Sequence, residues 1–252
     1  MNQEKIMKKK LTILATMLLA LTLGVSAVAG NYEDKTKADK EARKSGVTTK
    51  EQQTAMTPQA ALERLKRGNA QFAARGENEN KRYRKQVKFT AQGQYPYAAI
   101  VSCLDSRVSV EEIFDLNNGD AFNARIAGNI VNPDILGSLE FATKVSGAKV
   151  VMVLGHTKCG AVKGACDGVE LGNLTGLLDR IEPAVKRANP AETNRTSKNG
   201  AFVEIVGEEN VRLVMENIKK DSPILAELIN SGQVMLIGGV YDLETGNVRF
   251  LN

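Results

Sequence analysis

The chain has 252 residues, 42% of them apolar and 25% charged, with no low-complexity block; this describes one sizeable globular domain with appendages and excludes a disordered or fibrous chain. The formal net charge is +5, but four lysines and one glutamate of that balance lie in the first 29 residues, so the remainder carries only +2. No basic stripe interleaved with aromatic residues occurs, which excludes nucleic acid as a partner.

Residues 1–29 have the three parts of a secretory signal peptide. Lys5 and Lys8 to Lys10 form a positive start, Leu11 to Leu23 an apolar run of 13 residues, and Ala27-Val28-Ala29 a small-x-small cleavage pattern. The apolar run is short for a membrane span, which needs roughly 20 residues. The expectation is an exported, periplasmic protein with no membrane segment in its mature form. Residues 30–56 are polar and mixed in charge, and predict a flexible lead-in. Order is expected from Thr57-Pro58, a cap followed by proline at the first helical position. Ala61, Leu62, Leu65 and Phe72 then recur at helical spacing up to Gly76. This amphipathic helix, isolated ahead of the core, is expected to dock on its own domain or to pack on a partner subunit.

From there strand-like and helical runs alternate. Strands are expected over Tyr97–Val101, Ala121–Ile126, Lys149–Leu154 and Val234–Val240, with Val248–Leu251 as an edge strand. Ser109-Val110-Glu111-Glu112 reads as a capping box opening a short helix. Helices are expected over Pro133–Val145, closing at Gly147, over Thr175–Ala188 with a break at Pro183, over Glu208–Lys219, and from Ser222-Pro223 to Ile229. Asn189–Gly200 is the most loop-like internal stretch. Strands separated by helices define an α/β fold with a central, mostly parallel sheet flanked by helices, here over residues 57–252.

Two stretches stand out against this scaffold. Cys103-Leu104-Asp105-Ser106-Arg107 follows the first strand, and Gly155-His156-Thr157-Lys158-Cys159-Gly160 follows the Lys149–Leu154 strand. In open α/β sheets function gathers beyond the carboxyl ends of strands. His156 is the only histidine, and Cys, His and Cys are ligands for zinc. Three protein ligands leave a fourth position for Asp105 or for a group that Asp105 holds, and an open position marks a catalytic zinc. With strand-like alternation, Asp105 and Arg107 point the same way, and a bidentate pair keeps the carboxylate ionised and oriented. Two other readings compete: a Cys103–Cys159 disulfide, which an oxidising compartment permits, and a non-catalytic zinc or thiol site. The disulfide leaves His156, Asp105 and Arg107 without a role. Cys166, in a short helical run of small residues, reads as a buried, inert thiol.

From about Thr57 to the C-terminus the sequence resembles the β-class carbonic anhydrases. The resemblance rests on Cys-x-Asp-Ser-Arg at 103–107, Arg125-Ile126-Ala127-Gly128-Asn129, Gly-His-x-x-Cys-Gly at 155–160, and Gly239-Val240-Tyr241-Asp242-Leu243 with Thr245-Gly246. It implies one zinc held by Cys103, His156 and Cys159, reversible hydration of CO₂ to bicarbonate and a proton, and a homodimer or dimer of dimers with the active site at the subunit interface. By spacing it also implies Gln94 as a substrate-binding amide, Phe122 and Ala127 in the wall of the CO₂ pocket, Phe141 as a wall residue from the neighbouring subunit, and the Gly160 N–H at the bicarbonate position. The family further implies a closed state with Asp105 on zinc, favoured by a bicarbonate pocket around a tryptophan three residues before the first zinc cysteine. That position is Ile100 here, so an open site with Asp105 on Arg107 is expected. Hydrolysis of CO₂-like sulfur compounds by the same site stands as an alternative activity.

Overall fold

The structure is a computed structural model that describes residues 46–75 and 83–251. The signal-peptide and cleavage readings, most of the lead-in and the helix-closing Gly76 lie outside those residues. Helices α1 (Lys50–Ala55), α2 (Pro58–Arg75) and α3 (Tyr83–Thr90) precede the sheet. Then come β1 (Ala98–Ser102), α4 (Val110–Ile113), β2 (Ala121–Arg125), a 3₁₀ turn (Ala127–Asn129) and α5 (Pro133–Glu140). The second half runs β3 (Val150–His156), α6 (Gly160–Cys166), α7 (Gly172–Leu178), α8 (Glu182–Arg187), α9 (Gly200–Asp221), α10 (Pro223–Asn230), β4 (Met235–Tyr241) and β5 (Val248–Leu251).

The strands form one sheet in the order β2-β1-β3-β4-β5, parallel except for the antiparallel edge strand β5. Period-two alternation along the central strands explains why both faces carry helices. Ala98 and Ile100 of β1, with Val150, Met152 and Leu154 of β3, pack with Leu62 and Leu65 of α2 and with Ile113 and Phe114. Ala99 and Val101, with Val151 and Val153, face the other way, onto Leu136 and Leu139 of α5, Val211, Val214 and Ile218 of α9, and Leu225 and Leu228 of α10. Every residue of β1 and β3 is buried. That is why these strands read as continuous apolar runs. All the functional loops then leave the carboxyl edge of this sheet.

Several expectations are corrected. Of the two dockings expected for the N-terminal helix α2, the structure shows the one on its own domain: Ala61, Leu62 and Leu65 are buried in the chain's own core. The part of the lead-in that is described, residues 46–56, includes helix α1. A capping box between Thr49 and Gln52 opens α1. Thr48 donates to Asp120 at 2.5 Å, and Gln53 donates to the Pro96 and Ser146 carbonyls. At the expected box before α4, Ser109 occupies the cap but its hydroxyl makes no capping bond, and the helix is one turn long. The helix over 133–145 ends as α5 at Glu140 and continues as a wider π turn, Phe141–Val145. The run over 175–188 divides between α7 and α8, with Pro183 in the first turn of α8. Helix α9 starts eight residues earlier than expected because the Asn199 side chain caps it.

Candidate metal centre

Three strand ends build the site. Cys103 is the first residue beyond β1, Arg125 is the last of β2, and His156 is the last of β3. After His156 the chain turns sharply, with Lys158 at φ +57°. Neighbours pin this turn. Thr157 N–H donates to the Tyr241 carbonyl at 2.9 Å, Thr157 Oγ1 accepts from Leu243 N–H at 3.0 Å, and Lys158 N–H donates to Glu204 at 2.9 Å. Lys158 Nζ also pairs with Glu244. The turn delivers Cys159 to the N-cap of α6.

The result is a buried Cys103–His156–Cys159 group whose ligand atoms all lie within 4.8 Å of one another. The two Sγ atoms are 4.0 Å apart and all three cysteines are free, so the disulfide reading is not what the structure shows. His156 Nδ1 lies 2.9 Å from the Thr157 carbonyl, which can only accept; the proton therefore sits on Nδ1 and Nε2 carries a lone pair. That Nε2 is buried and has no hydrogen-bond partner. An orphaned acceptor of this kind is costly unless a cation or donor meets it. A tetrahedral ion with bonds of about 2.3 Å to sulfur would space two thiolates by about 3.8 Å, close to the separation observed. The residues therefore fit a zinc ion.

Electrostatics agree. The Cys103 thiol is held well below the usual thiol range, chiefly because the Cys159 thiol donates to it and, against the opposing effect of burial, because the nearby His156 ring and the backbone N–H groups of Asp105 and Gly128 favour the thiolate; the His156 contact is too loose to count as a hydrogen bond by geometry. Cys159 is pushed up by the same hydrogen bond and by burial, because two thiolates this close repel without a cation between them. Asp105 lies beside the group, its Oδ2 3.8 Å from His156 Nε2. Arg107 holds that carboxylate through three bonds: backbone N–H to Oδ1 at 3.0 Å, Nε to Oδ1 at 2.9 Å and Nη2 to Oδ2 at 2.7 Å. These bonds keep Asp105 far below the ordinary carboxylate range. Asp105 on Arg107 is the pairing expected of an open site.

The remaining site expectations divide. Ala127 lies in the 3₁₀ turn, which packs on the start of α6: a Cβ on Gly128 would come 3.3 Å from the Ala161 Cβ. Gly160 opens α6 and is exposed. Gln94, Phe122 and Phe141 are elsewhere in the chain. Phe122 pairs with Ala99, four residues back from Cys103, or about 13 Å at roughly 3.3 Å per residue. Its ring meets Phe141 edge-on at 6.0 Å, and both line an open groove of about 850 Å³ along the free β2 edge. Phe141 is 51% exposed there. Gln94 lines a separate recess with Thr90 and Asn118. Cys166 is half-buried, and burial pushes its thiol up to about 11, which keeps it protonated. Arg125, whose role the sequence reading missed, donates to the Cys103 carbonyl at 3.2 Å and to the Asp105 carbonyl at 2.5 Å.

A mostly parallel α/β sheet with a buried Cys-His-Cys group at its carboxyl edge is a fold of the α/β class with a group that could hold a metal ion. A profile of the family described as carbonic anhydrase matches residues 98–248. Carbonic anhydrase 2 of Mycobacterium tuberculosis is 33% identical over 194 residues, 75% of this chain and 90% of the relative. A carbonic anhydrase of Mycolicibacterium smegmatis is 30% identical over 197 residues, 76% and 92% of the two chains. Among solved structures, the β-carbonic anhydrase CafA of Aspergillus fumigatus superposes with a TM-score of 0.61 at 27% identity, covering 77% of this chain and 90% of that one. One of two tetrameric β-carbonic anhydrases of Sordaria macrospora does so at 0.59 and 26%, covering 64% and 83%. The chain belongs to the carbonic anhydrase family, in its β class.

Proposed function

We propose that the chain catalyses the reversible hydration of CO₂ to bicarbonate and a proton, with one zinc per chain held by Cys103, His156 and Cys159. The observation that carries this is the unpartnered, buried Nε2 of His156 facing two thiols, with the ionised Asp105 at its side. When bound, the metal supplies Lewis acidity, which makes water a nucleophile near neutral pH. Asp105 is an acceptor only, because Arg107 holds it ionised. It therefore selects a hydrogen-bond donor on its cluster side and turns that oxygen's lone pairs toward substrate. A structural zinc site would more often have a fourth Cys or His in this place.

Among the described residues, the aromatic pair Phe122 and Phe141 lies away from this chain's own metal group. We assign the aromatic wall at each metal group to a second copy, whose β2 edge carries Phe122 and Phe141, with Gln94 in the recess beside Ala121 at the start of that strand; this supports a homodimer or larger homo-oligomer. Export to the periplasm is also proposed, on the leader pattern of residues 1–29. No described helix is long and apolar enough to cross a membrane. The test is stopped-flow CO₂ hydration on metal-quantified protein at mildly alkaline pH. Buffer-dependent turnover that requires zinc supports the reading, since His156 is the sole imidazole and is used as a ligand. Absence of turnover at one zinc per chain overturns it. N-terminal sequencing of the exported protein is expected to begin at Gly30.

A further inference from the structure

Arg125 ends the edge strand β2, opposite Ser102. Backbone pairing of β1 with β2 stops one bond later, where Ile126 N–H donates to the Ser102 carbonyl at 3.0 Å. Beyond that point the β1 chain carries the site, and its carbonyls have no strand beside them. The Arg125 side chain continues the ladder: Nε serves the Cys103 carbonyl at 3.2 Å and Nη2 the Asp105 carbonyl at 2.5 Å. A guanidinium suits this task because its N–H groups are fixed in one plane and reach two acceptors together. Asp105 is thus held twice, its carbonyl by Arg125 and Val108 N–H and its carboxylate by Arg107. A carboxylate oxygen already lies 3.8 Å from His156 Nε2, so a modest rotation of the backbone about residue 105 would bring it onto the metal position.

We propose that Arg125 is a positioning residue: by clamping the carbonyls of Cys103 and Asp105 it fixes the loop between them, keeps the Asp105 carboxylate on Arg107, and keeps the fourth metal position accessible. This rests on the zinc-centre reading above and concerns the chain's own loop. Nothing in the geometry puts Arg125 on substrate. Lysine has no planar fork and can serve one carbonyl well, whereas glutamine is too short for both.

The test uses Arg125→Lys and Arg125→Gln in full-length protein, loaded with zinc for turnover and with cobalt(II) for spectroscopy. Azide is titrated into the cobalt protein and followed by its visible spectrum. This reports whether the fourth position is open, without reference to turnover. Wild type is expected to bind azide. Arg125→Gln is expected to hold one metal per chain, to bind azide at least tenfold more weakly, and to lose at least tenfold in kcat/KM; Arg125→Lys is expected to fall between. The deciding variant is Arg125→Gln with Asp105→Ala, in which azide binding returns while turnover does not, because the carboxylate that closed the site is gone. A merely structural role would not be relieved that way. Azide binding in Arg125→Gln equal to wild type overturns the proposal. So does loss of metal from that variant, or failure of Asp105→Ala to restore azide binding. Failure of wild type to hydrate CO₂ would strike the function reading and leave the azide result standing.

Discussion

Replacing Asp105 by asparagine keeps the shape and removes the charge. Arg107 makes three bonds to this carboxylate, two on Oδ1 and one on Oδ2 at 2.7 Å. Asparagine can keep the first two and must lose the third, because its amide nitrogen donates. Arg107 is 55% exposed, so the pair is screened by solvent and its loss should cost little stability. The rate is a different matter. If the amide keeps its oxygen toward Arg107, N–H takes the place of the acceptor Oδ2, 3.8 Å from His156 Nε2. The reacting oxygen then loses the group that orders its proton. Positioned proton acceptors contribute about 10²–10⁴-fold. A loss of about 10²–10³-fold in kcat/KM is expected, about 2.7–4 kcal/mol at 1.36 per decade, with zinc content unchanged. The assay pairs stopped-flow hydration with zinc analysis and urea unfolding on the same preparation. Turnover within threefold of wild type at full zinc would refute the argument, since it would make Asp105 structural only.

Other consequences follow from the same coordinates. Gly68→Ala should destabilise by at least 2 kcal/mol despite the ordinary helix gain of about 1 kcal/mol, because its Cβ would sit 1.9 Å from the Phe114 carbonyl oxygen; an unchanged urea midpoint would contradict this. Phe141→Glu should dissociate the oligomer in sedimentation and lower turnover together, as the exposed Phe141–Phe122 pair is assigned to the interface; a fully active oligomer of unchanged mass would reject that. Chelation in air should couple Cys103 to Cys159, with loss of two hydrogens to oxygen, because 4.0 Å needs only a small closure; three thiols still titratable after prolonged exposure would count against it. Glu208 is held below the ordinary carboxylate range chiefly by Arg249, with Arg212 beside it. A depressed carboxylate stabilises above its unfolded value, about 4.3, and the benefit fades as pH falls through the folded one. Glu208→Gln should therefore cost roughly 1 kcal/mol at pH 7 and nothing near pH 2, and a pH-independent cost would show that the charge is not the cause.

How much of this could be read from the sequence depends on what holds each part. Strands β1 and β3 were legible because burial on both faces makes them apolar throughout. The three residues of the candidate metal group, Cys103, His156 and Cys159, were legible because Cys and His are rare here and fall at or just beyond strand ends. Helices α1 and α3 were missed because polar bonds hold them. Gln86 of α3 is 1% exposed, and its amide joins Asn117 Oδ1 to the Asn118 N–H; no apolar period reveals such a helix. The Thr49-x-x-Gln52 box was readable in principle, yet the comparable Ser109-x-x-Glu112 pattern makes no cap, so the motif alone decides neither case. Arg125 escaped because its partners are main-chain carbonyls, which any sequence supplies.

The substrate wall is a different kind of case: the resemblance puts the site at the subunit interface and Phe141 on the neighbouring subunit, but leaves open which copy Phe122 and Gln94 serve. Counting from Cys103 gives Phe122 and Gln94, but a count along the chain carries no information about which copy they serve. Strand register does. Phe122 is opposite Ala99, about 13 Å from Cys103 at roughly 3.3 Å per residue, too far to touch a substrate at its own metal. The aromatic pair nevertheless stays open along the free edge of the sheet, with Phe141 half exposed. A lone chain gains nothing from such a surface and risks aggregation through it. In the proposed homo-oligomer a second copy would cover this surface and receive the aromatic pair as a wall for its own metal group. On the assembly proposed above, oligomer formation and catalysis would be one requirement, and Phe141→Glu is the variant that tests it.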